Sequence, residues 1–335
     1  MTHDWASDPT RWQTAAASGW EDEGEWTDTF IRQSEWGVGR RGWVSNSVYL
    51  LLALFFGGIG AGAALLALGL GRAHSGGYFV AGYVLAVGGK GFFHLLFLGN
   101  PWRFWRAVCR PQTSWISRGI IALSLFSVVG LGYMLGPLWG LLPALAGAEP
   151  VLAGLCAVLL TFLLVYDGFL LNNATAIGAW HTGLMVILFP VFSALGGAGV
   201  LGALYGPLHG RVPLDIHALH QVEAVLLAVG AFVLASYLTY LYADPFLRTS
   251  AWEAIVGRLR WVFWLVVVGG GIVAPLVVAG LSVRRPVAIG VMATVALVAV
   301  VGDYAFKYVI FSIGGYRQQH ASPTLGTVRA RHSHA

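Results

Sequence analysis

Eight apolar segments, each of about twenty residues or more, follow one another from Trp43 to the region of Phe311. An α-helix rises 1.5 Å per residue, so about 20 residues cross the roughly 30 Å hydrocarbon layer. In lipid every backbone N–H and C=O must be satisfied internally, which leaves helices or closed barrels, and runs this long and continuous read as helices. The spans are expected near 46–71, 78–98, 117–142, 150–172, 177–204, 219–243, 261–282 and 286–311. The fold class that follows is an all-α integral membrane protein, a bundle of about eight transmembrane helices. Composition agrees, since only 10% of the 335 residues are charged, against roughly 25% in soluble domains. Glycines such as Gly57, Gly58, Gly60 and Gly62 in the first span would let helices approach closely.

Residues 1–42 form a separate region, acidic around Glu21, Asp22, Glu23 and Glu25 and carrying Trp12, Trp20, Trp26 and Trp36. They lack the basic start and short apolar stretch of a secretory signal, and read as a disordered extension or an arm that docks a soluble partner. Residues 43–316 form the transmembrane domain and 317–335 a short C-terminal tail. An even number of spans places both termini on one face, side A. From Arg40 onward, twelve arginines fall on side A segments against four on side B, which by the positive-inside rule makes the termini cytoplasmic in a prokaryotic inner membrane. The arginines sit at segment ends rather than in one basic run, so membrane lipid and not nucleic acid is the expected environment. Cys109 and Cys156 form neither a disulfide framework nor a metal-ligand pattern, and no metal site is expected.

Ionisable side chains inside four of the spans carry the functional signal, because a charge at the bilayer centre costs at least ~2.5–3.5 kcal/mol. Lys90 and His94, four residues apart, share a helix face near the side A end of span two. Tyr166 and Asp167 lie near the side A end of span four, and Asp303 and Lys307 repeat the spacing of four in span eight. Asn46 and Tyr49 open span one and His181 opens span five on the same side. Taken singly, Asp303 and Lys307 read as a self-neutralising pair, Lys90 as a snorkelling lysine, and His94 and His181 as packing histidines. Together they favour one leaflet, as a pocket would. A quinone headgroup needs hydrogen-bond donors at two carbonyl oxygens and exchanges two protons, and a His, Tyr, Asp and Lys set meets both needs. On side B, His209, His217, His220 and Glu223 form a second group, from which Glu223 is a candidate for a proton route with Asp303 and Lys307.

Other readings compete. A bis-histidine haem would need two histidines at equal depth on facing helices, and His94 with His181 offers depth alone, so no haem is expected. A proton-translocating or ion-conducting module would use Lys90, Asp167, Glu223, Asp303 and Lys307 as a path through both leaflets, whereas the middle of the bundle reads as dry. A purely structural anchor is the third possibility.

The run HLLFLGNPWRFWRAVCRPQTSWISRG, from His94 to Gly119, resembles a stretch of the NrfD/polysulfide reductase membrane-subunit family. It matches at Leu98, Gly99, Pro101, Arg103, Phe104 and Trp105, then at Ser114 to Gly119. Tyr49, Tyr166 with Gly168, Trp180 with Phe189 and Ser193, Pro275 and the closing GDYAFKYVIFSIGG agree more loosely. Phe97 and Asn100 depart from the family pattern, which often has Asp and Arg there; Asp167 would replace the missing carboxylate. The resemblance covers residues 43–316. It implies a haem-free membrane anchor that is not catalytic alone and exchanges electrons between menaquinone or ubiquinone and an iron-sulfur subunit. That partner would itself be bound to a molybdopterin catalytic subunit, so clusters and molybdopterin reside only in partner chains. It implicates His94 and Tyr166 as headgroup contacts, with Asn46 and Tyr49 at the mouth of the first helix. Arg103, Arg106 and Arg118 would dock the iron-sulfur partner.

Overall fold

The computed structural model describes residues 42–70, 76–98, 101–175, 177–208, 212–282 and 287–314, with side chains from residue 48 onward in the first helix. The N-terminal tail up to residue 41, residues 315–335, and with them both tail expectations, lie outside the described residues. Among those described, eight helices are long and apolar enough to cross a membrane, and there is no strand. They are α1 Gly42–Leu70, α2 Gly76–Phe97, α3 Trp115–Leu138, α4 Glu149–Asn172, α5 Gly183–Leu208, α6 Ile216–Ala243, α7 Val262–Leu281 and α8 Ile289–Ser312.

Sequence and structure differ most at α5. The expected fifth span begins at 177, yet residues 178–182 form turns and bends, and Thr182 Oγ1 accepts from Leu184 N at 3.4 Å where the helix starts. Tertiary bonds hold this connector. Tyr237 and Tyr240 of α6 donate to the carbonyls of Ala179 and Gly178 at 2.9 and 3.0 Å, and Trp180 Nε1 donates to Ile310 O of α8 at 2.8 Å. His181 therefore belongs to a side A connector and not to a helix.

α5 is the central post of the bundle. Its Phe189 and Phe192 meet Phe306 of α8 in one apolar core that also takes in α6 and α7, and its Ala198 and Leu201 join a second core with Phe79 of α2, Phe126 of α3 and Leu160 of α4. Water cannot drive helix association inside lipid, so contact depends on close packing between small residues. α1 and α2 meet backbone to backbone at Gly60 and Gly82, α1 and α5 at Gly62 and Gly197, and α7 and α8 at Gly271 and Gly302.

Three helices depart from regular winding, α3 in a π-type last turn over Met134–Leu138. The middle of α2 widens into a π-type turn over Val84–Gly89, and Lys90 N–H closes it by donating to Leu85 O. Such bulges shift the helical register. This one ends where Lys90 turns inward. α7 carries a longer π-type stretch over Val262–Val273, against the Gly271–Gly302 contact with α8.

Candidate functional site

Among the described residues, the charged side chains buried from solvent are Lys90, Asp167, Asp303 and Lys307, none more than 2% exposed. Lys90 does not snorkel. Its Nζ donates to Asp167 Oδ1 at 2.7 Å and ties α2 to α4. Lys307 Nζ donates to both carboxylate oxygens of Asp303, at 2.5 and 2.6 Å, within α8. The four charges sum to zero, and each has an opposite charge in contact that offsets part of the cost of burial.

Glycines of α1 bring the two pairs together. A methyl group added at Gly57 would overlap the Lys90 stem, and one added at Gly58 would overlap the Ser193 hydroxyl and lie 3.5 Å from Lys307 Nζ. The two ammonium groups thus approach consecutive residues of one helix. Asp167 lies within electrostatic reach of Lys307 as well as Lys90. Aromatic faces complete the lining. Lys90 Nζ is 5.1 Å from the Tyr166 ring centroid, and Lys307 Nζ is 5.9 and 5.8 Å from those of Phe55 and Phe189, geometry that favours a cation.

Several polar atoms remain open. Asp167 Oδ2, Ser193 Oγ and His94 Nδ1 are buried without a hydrogen-bond partner among the described residues. His94 stands one turn beyond Lys90, on the same face and closer to side A. An unmet buried polar atom costs about 1–3 kcal/mol, so a group of them marks a place where a ligand or water belongs. The set suits a carbonyl-bearing headgroup, with an imidazole, an ammonium and a phenol as donors and a carboxylate oxygen as acceptor for its hydroxyl form.

The stretch Ser114 to Gly119 builds this site from outside. Ser114 Oγ caps α3 by accepting from Ser117 N at 3.3 Å. The Ser117 hydroxyl donates to Ala107 O in the 3₁₀ turn Pro101–Val108 that follows α2. Trp115 stacks on Phe169 of α4, with centroids 4.7 Å apart and planes 6° from parallel. Arg118 donates to the carbonyls of Pro111 and Gln112, both at 2.7 Å, and lies over Trp115. Gly119 faces the Tyr166 ring so closely that any side chain would collide with it. Tyr166 is placed by a missing side chain on α3.

The structure thus gathers Lys90, Asp167, Tyr166, Asp303 and Lys307, with His94 adjacent. His181 is exposed, its Nδ1 2.6 Å from Asn172 O, at the end of α4; it does not join the buried group. Tyr49 is half-buried near the start of α1, and the side chains of Asn46 and Arg103 lie outside the described residues. Arg106 is exposed, its guanidinium 5.5 Å from the Trp105 ring. Glu223 sits on the other side of the bundle beside His220. Sequence reasoning missed the Lys90–Asp167 pairing and the roles of Ser193, Gly57 and Gly58. A signal for them was present, a serine and two glycines at matching depth to the charges.

Residues 39–317 match the family described as polysulphide reductase, NrfD. A sulfite dehydrogenase subunit of Allochromatium vinosum is 30% identical over 208 residues, covering 59% of this chain and 61% of that relative. The chain therefore spans about three fifths of the length of the curated relative that it matches. With a family match across the whole helical bundle, this chain belongs to the polysulphide reductase NrfD family.

Proposed function

We propose that this chain is the quinone-reactive membrane anchor of a multi-subunit molybdenum or tungsten oxidoreductase, passing electrons between the quinone pool and an iron-sulfur subunit on side A. The observation that carries this reading is the set of open buried atoms, His94 Nδ1 and Asp167 Oδ2, next to Lys90 and Tyr166. His94 and Tyr166 hold the headgroup oxygens, and Lys90 with Asp167 supplies or takes up a proton at that end. Tyr49, with Asn46, flanks the mouth. Menaquinone or ubiquinone is the substrate, the chain is not catalytic alone, and haem has no part in the reading.

The exposed 3₁₀ turn after α2 is the proposed docking face, with Trp102, Phe104, Trp105 and Arg106 outward. Arg103 and Arg118 belong to the same segment, Arg118 holding its loop in shape while presenting charge. The arginine distribution supports a cytoplasmic position in a prokaryotic cell for this face and both termini. The family and the relative are both named for enzymes acting on sulfur compounds, so a sulfur compound is the first substrate to assay for the molybdopterin partner.

Two experiments test the reading. Purification of the tagged chain in gentle detergent should yield an iron-sulfur subunit and a molybdopterin enzyme and no haem band; a solitary or haem-bearing chain would sink it. Asp167→Asn keeps a hydrogen bond to Lys90 but weakens the proton exchange. Quinone turnover should fall about 10²-fold or more while the complex stays assembled, and unchanged turnover removes Asp167 from the mechanism.

A further inference from the structure

Across the bundle from His94, the side B end of α6 carries a second polar group that the headgroup site does not use. His220 Nδ1 lies 3.0 Å from Glu223 Oε2, both side chains are largely buried, and His220 Nε2 is buried without a partner among the described residues. A carboxylate on Nδ1 fixes the neutral imidazole with its proton there, which leaves Nε2 as an open acceptor. A ring nitrogen so placed can receive a proton from a water and pass it on.

The dyad stands between two cavities. An outer one of about 460 Å³ is lined by His217, His220 and Gln221 of α6 and by Leu276, Ala279 and Met292 of α7 and α8. An inner one of about 30 Å³ is lined by His220 and Glu223 and closed by Pro275, Val278, Ala296 and Ala299. That size admits one or two waters, and waters are held where polar atoms stand unmet. Among the described residues, α5, α7 and α8 bring apolar side chains or glycine to the inner cavity, and the dyad brings the titratable groups.

Helix α8 continues the line. Ala299 at the inner cavity, Asp303 and Lys307 fall at successive spacings of four and share one face, so Asp303 lies one turn, about 6 Å, beyond the cavity wall. Lys307 then adjoins Gly58 and Ser193 with its open hydroxyl, and Asp167, Lys90 and His94 follow toward side A. Among the described residues, the interval without a polar side chain along this line is the turn between Ala299 and Asp303, where α7 and α8 meet at Gly271 and Gly302.

We propose that the His220–Glu223 dyad is the proton exchange site for the quinone reaction, connected through the inner cavity, Asp303 and Lys307 to the Lys90–Asp167 pair. The inference rests on the quinone reading above. Each quinone reduced takes two electrons from the iron-sulfur partner on side A and two protons from side B, giving the hydroquinone; each hydroquinone oxidised returns both by the same routes. Electrons and protons meet the headgroup from opposite faces, so turnover moves charge across the membrane.

The test uses the purified complex in liposomes with a pH dye trapped inside. Reduced methyl viologen with a short-chain quinone, or the corresponding hydroquinone with ferricyanide, is added outside and reaches only complexes whose partner subunits face out. Wild-type turnover should change the internal, side B pH. Glu223→Gln and the cavity-filling Ala299→Leu should lower turnover roughly 100-fold and abolish the internal signal, with the quinone KM within about twofold of wild type because the headgroup site is untouched. Glu223→Asp should restore part of the rate, which a merely structural role for the carboxylate would not require. If Ala299→Leu prevents assembly, the two Glu223 variants decide. Wild-type turnover with the pH change confined to the outside, or assembled Glu223→Gln turning over at the wild-type rate, overturns the proposal. A wild-type complex with no quinone-dependent turnover overturns the quinone reading itself, and this proposal with it.

Discussion

The two buried ion pairs are alike in chemistry and opposite in construction. Asp303 and Lys307 are four residues apart on α8 and satisfy each other within one helix, both carboxylate oxygens engaged. Lys90 and Asp167 are 77 residues apart, join two helices, and leave one carboxylate oxygen open. The first pair arrives with its helix already neutral. The second exists only after α2 and α4 have packed, and its geometry depends on the π-type turn before Lys90 and on the room left by Gly57. An internally complete pair suits a fixed relay, and one with an open oxygen suits a site that must exchange a partner.

The largest effect should come from leaving one of these charges alone. Removing one partner of a buried pair costs about 3–5 kcal/mol. Asp303→Ala and Lys90→Met should both cut the yield of folded protein and lower its unfolding temperature in detergent. Double variants separate the two designs. Asp303→Leu with Lys307→Met should recover stability nearly in full, because the hydrogen bonds of the pair lie within α8 and the side chains around it are mostly apolar. Lys90→Met with Asp167→Leu should recover less, because α2 and α4 lose their tie. Equal recovery in the two doubles would erase the distinction between the pairs.

A smaller effect should distinguish neighbouring glycines. Gly57→Ala pushes the Lys90 stem away from Asp167, a strain of about 1–3 kcal/mol that falls on the interhelical pair. Gly58→Ala presses on Ser193, whose hydroxyl holds no partner among the described residues, and should be milder. Thermal unfolding and quinone turnover of the two variants check this, and a Gly58→Ala more harmful than Gly57→Ala would place the critical contact at Lys307 instead.

What the sequence disclosed follows the same division. The eight helices were legible because each is a continuous apolar run whose length is set by the bilayer. Asp303 with Lys307 was legible because a spacing of four is a property of one helix. Lys90 with Asp167 was not. The π-type turn rotates Lys90 inward, and no local pattern announces which helix it will meet, so the same residue read equally well as a snorkelling lysine. His181 was misplaced for a related reason: the bonds that stop α5 from starting early come from Tyr237, Tyr240 and Trp180, distant in sequence or engaged with distant carbonyls. The stretch Ser114 to Gly119 was recognisable as a pattern, yet its work, capping α3, tying the loop and clearing space for Tyr166, could only be read from the fold.

That stretch also offers the smallest and most selective perturbation of the two pairs. Arg118 holds the carbonyls of Pro111 and Gln112 with two different nitrogens of one planar group, which a lysine cannot reproduce. Arg118→Lys keeps the charge and loses one of the two bonds, at a cost of about 1 kcal/mol. The loop packs against α3, and α3 positions Tyr166 over Lys90, so loosening should spread to the interhelical pair. The α8 pair has no such connection. Hydrogen exchange should therefore quicken in residues 101–118 and at the side A end of α2, while 299–312 keeps its protection. Exchange that quickens equally in α8 would mean that the two pairs answer to a single cooperative unit, and that their different construction has no bearing on how the site moves.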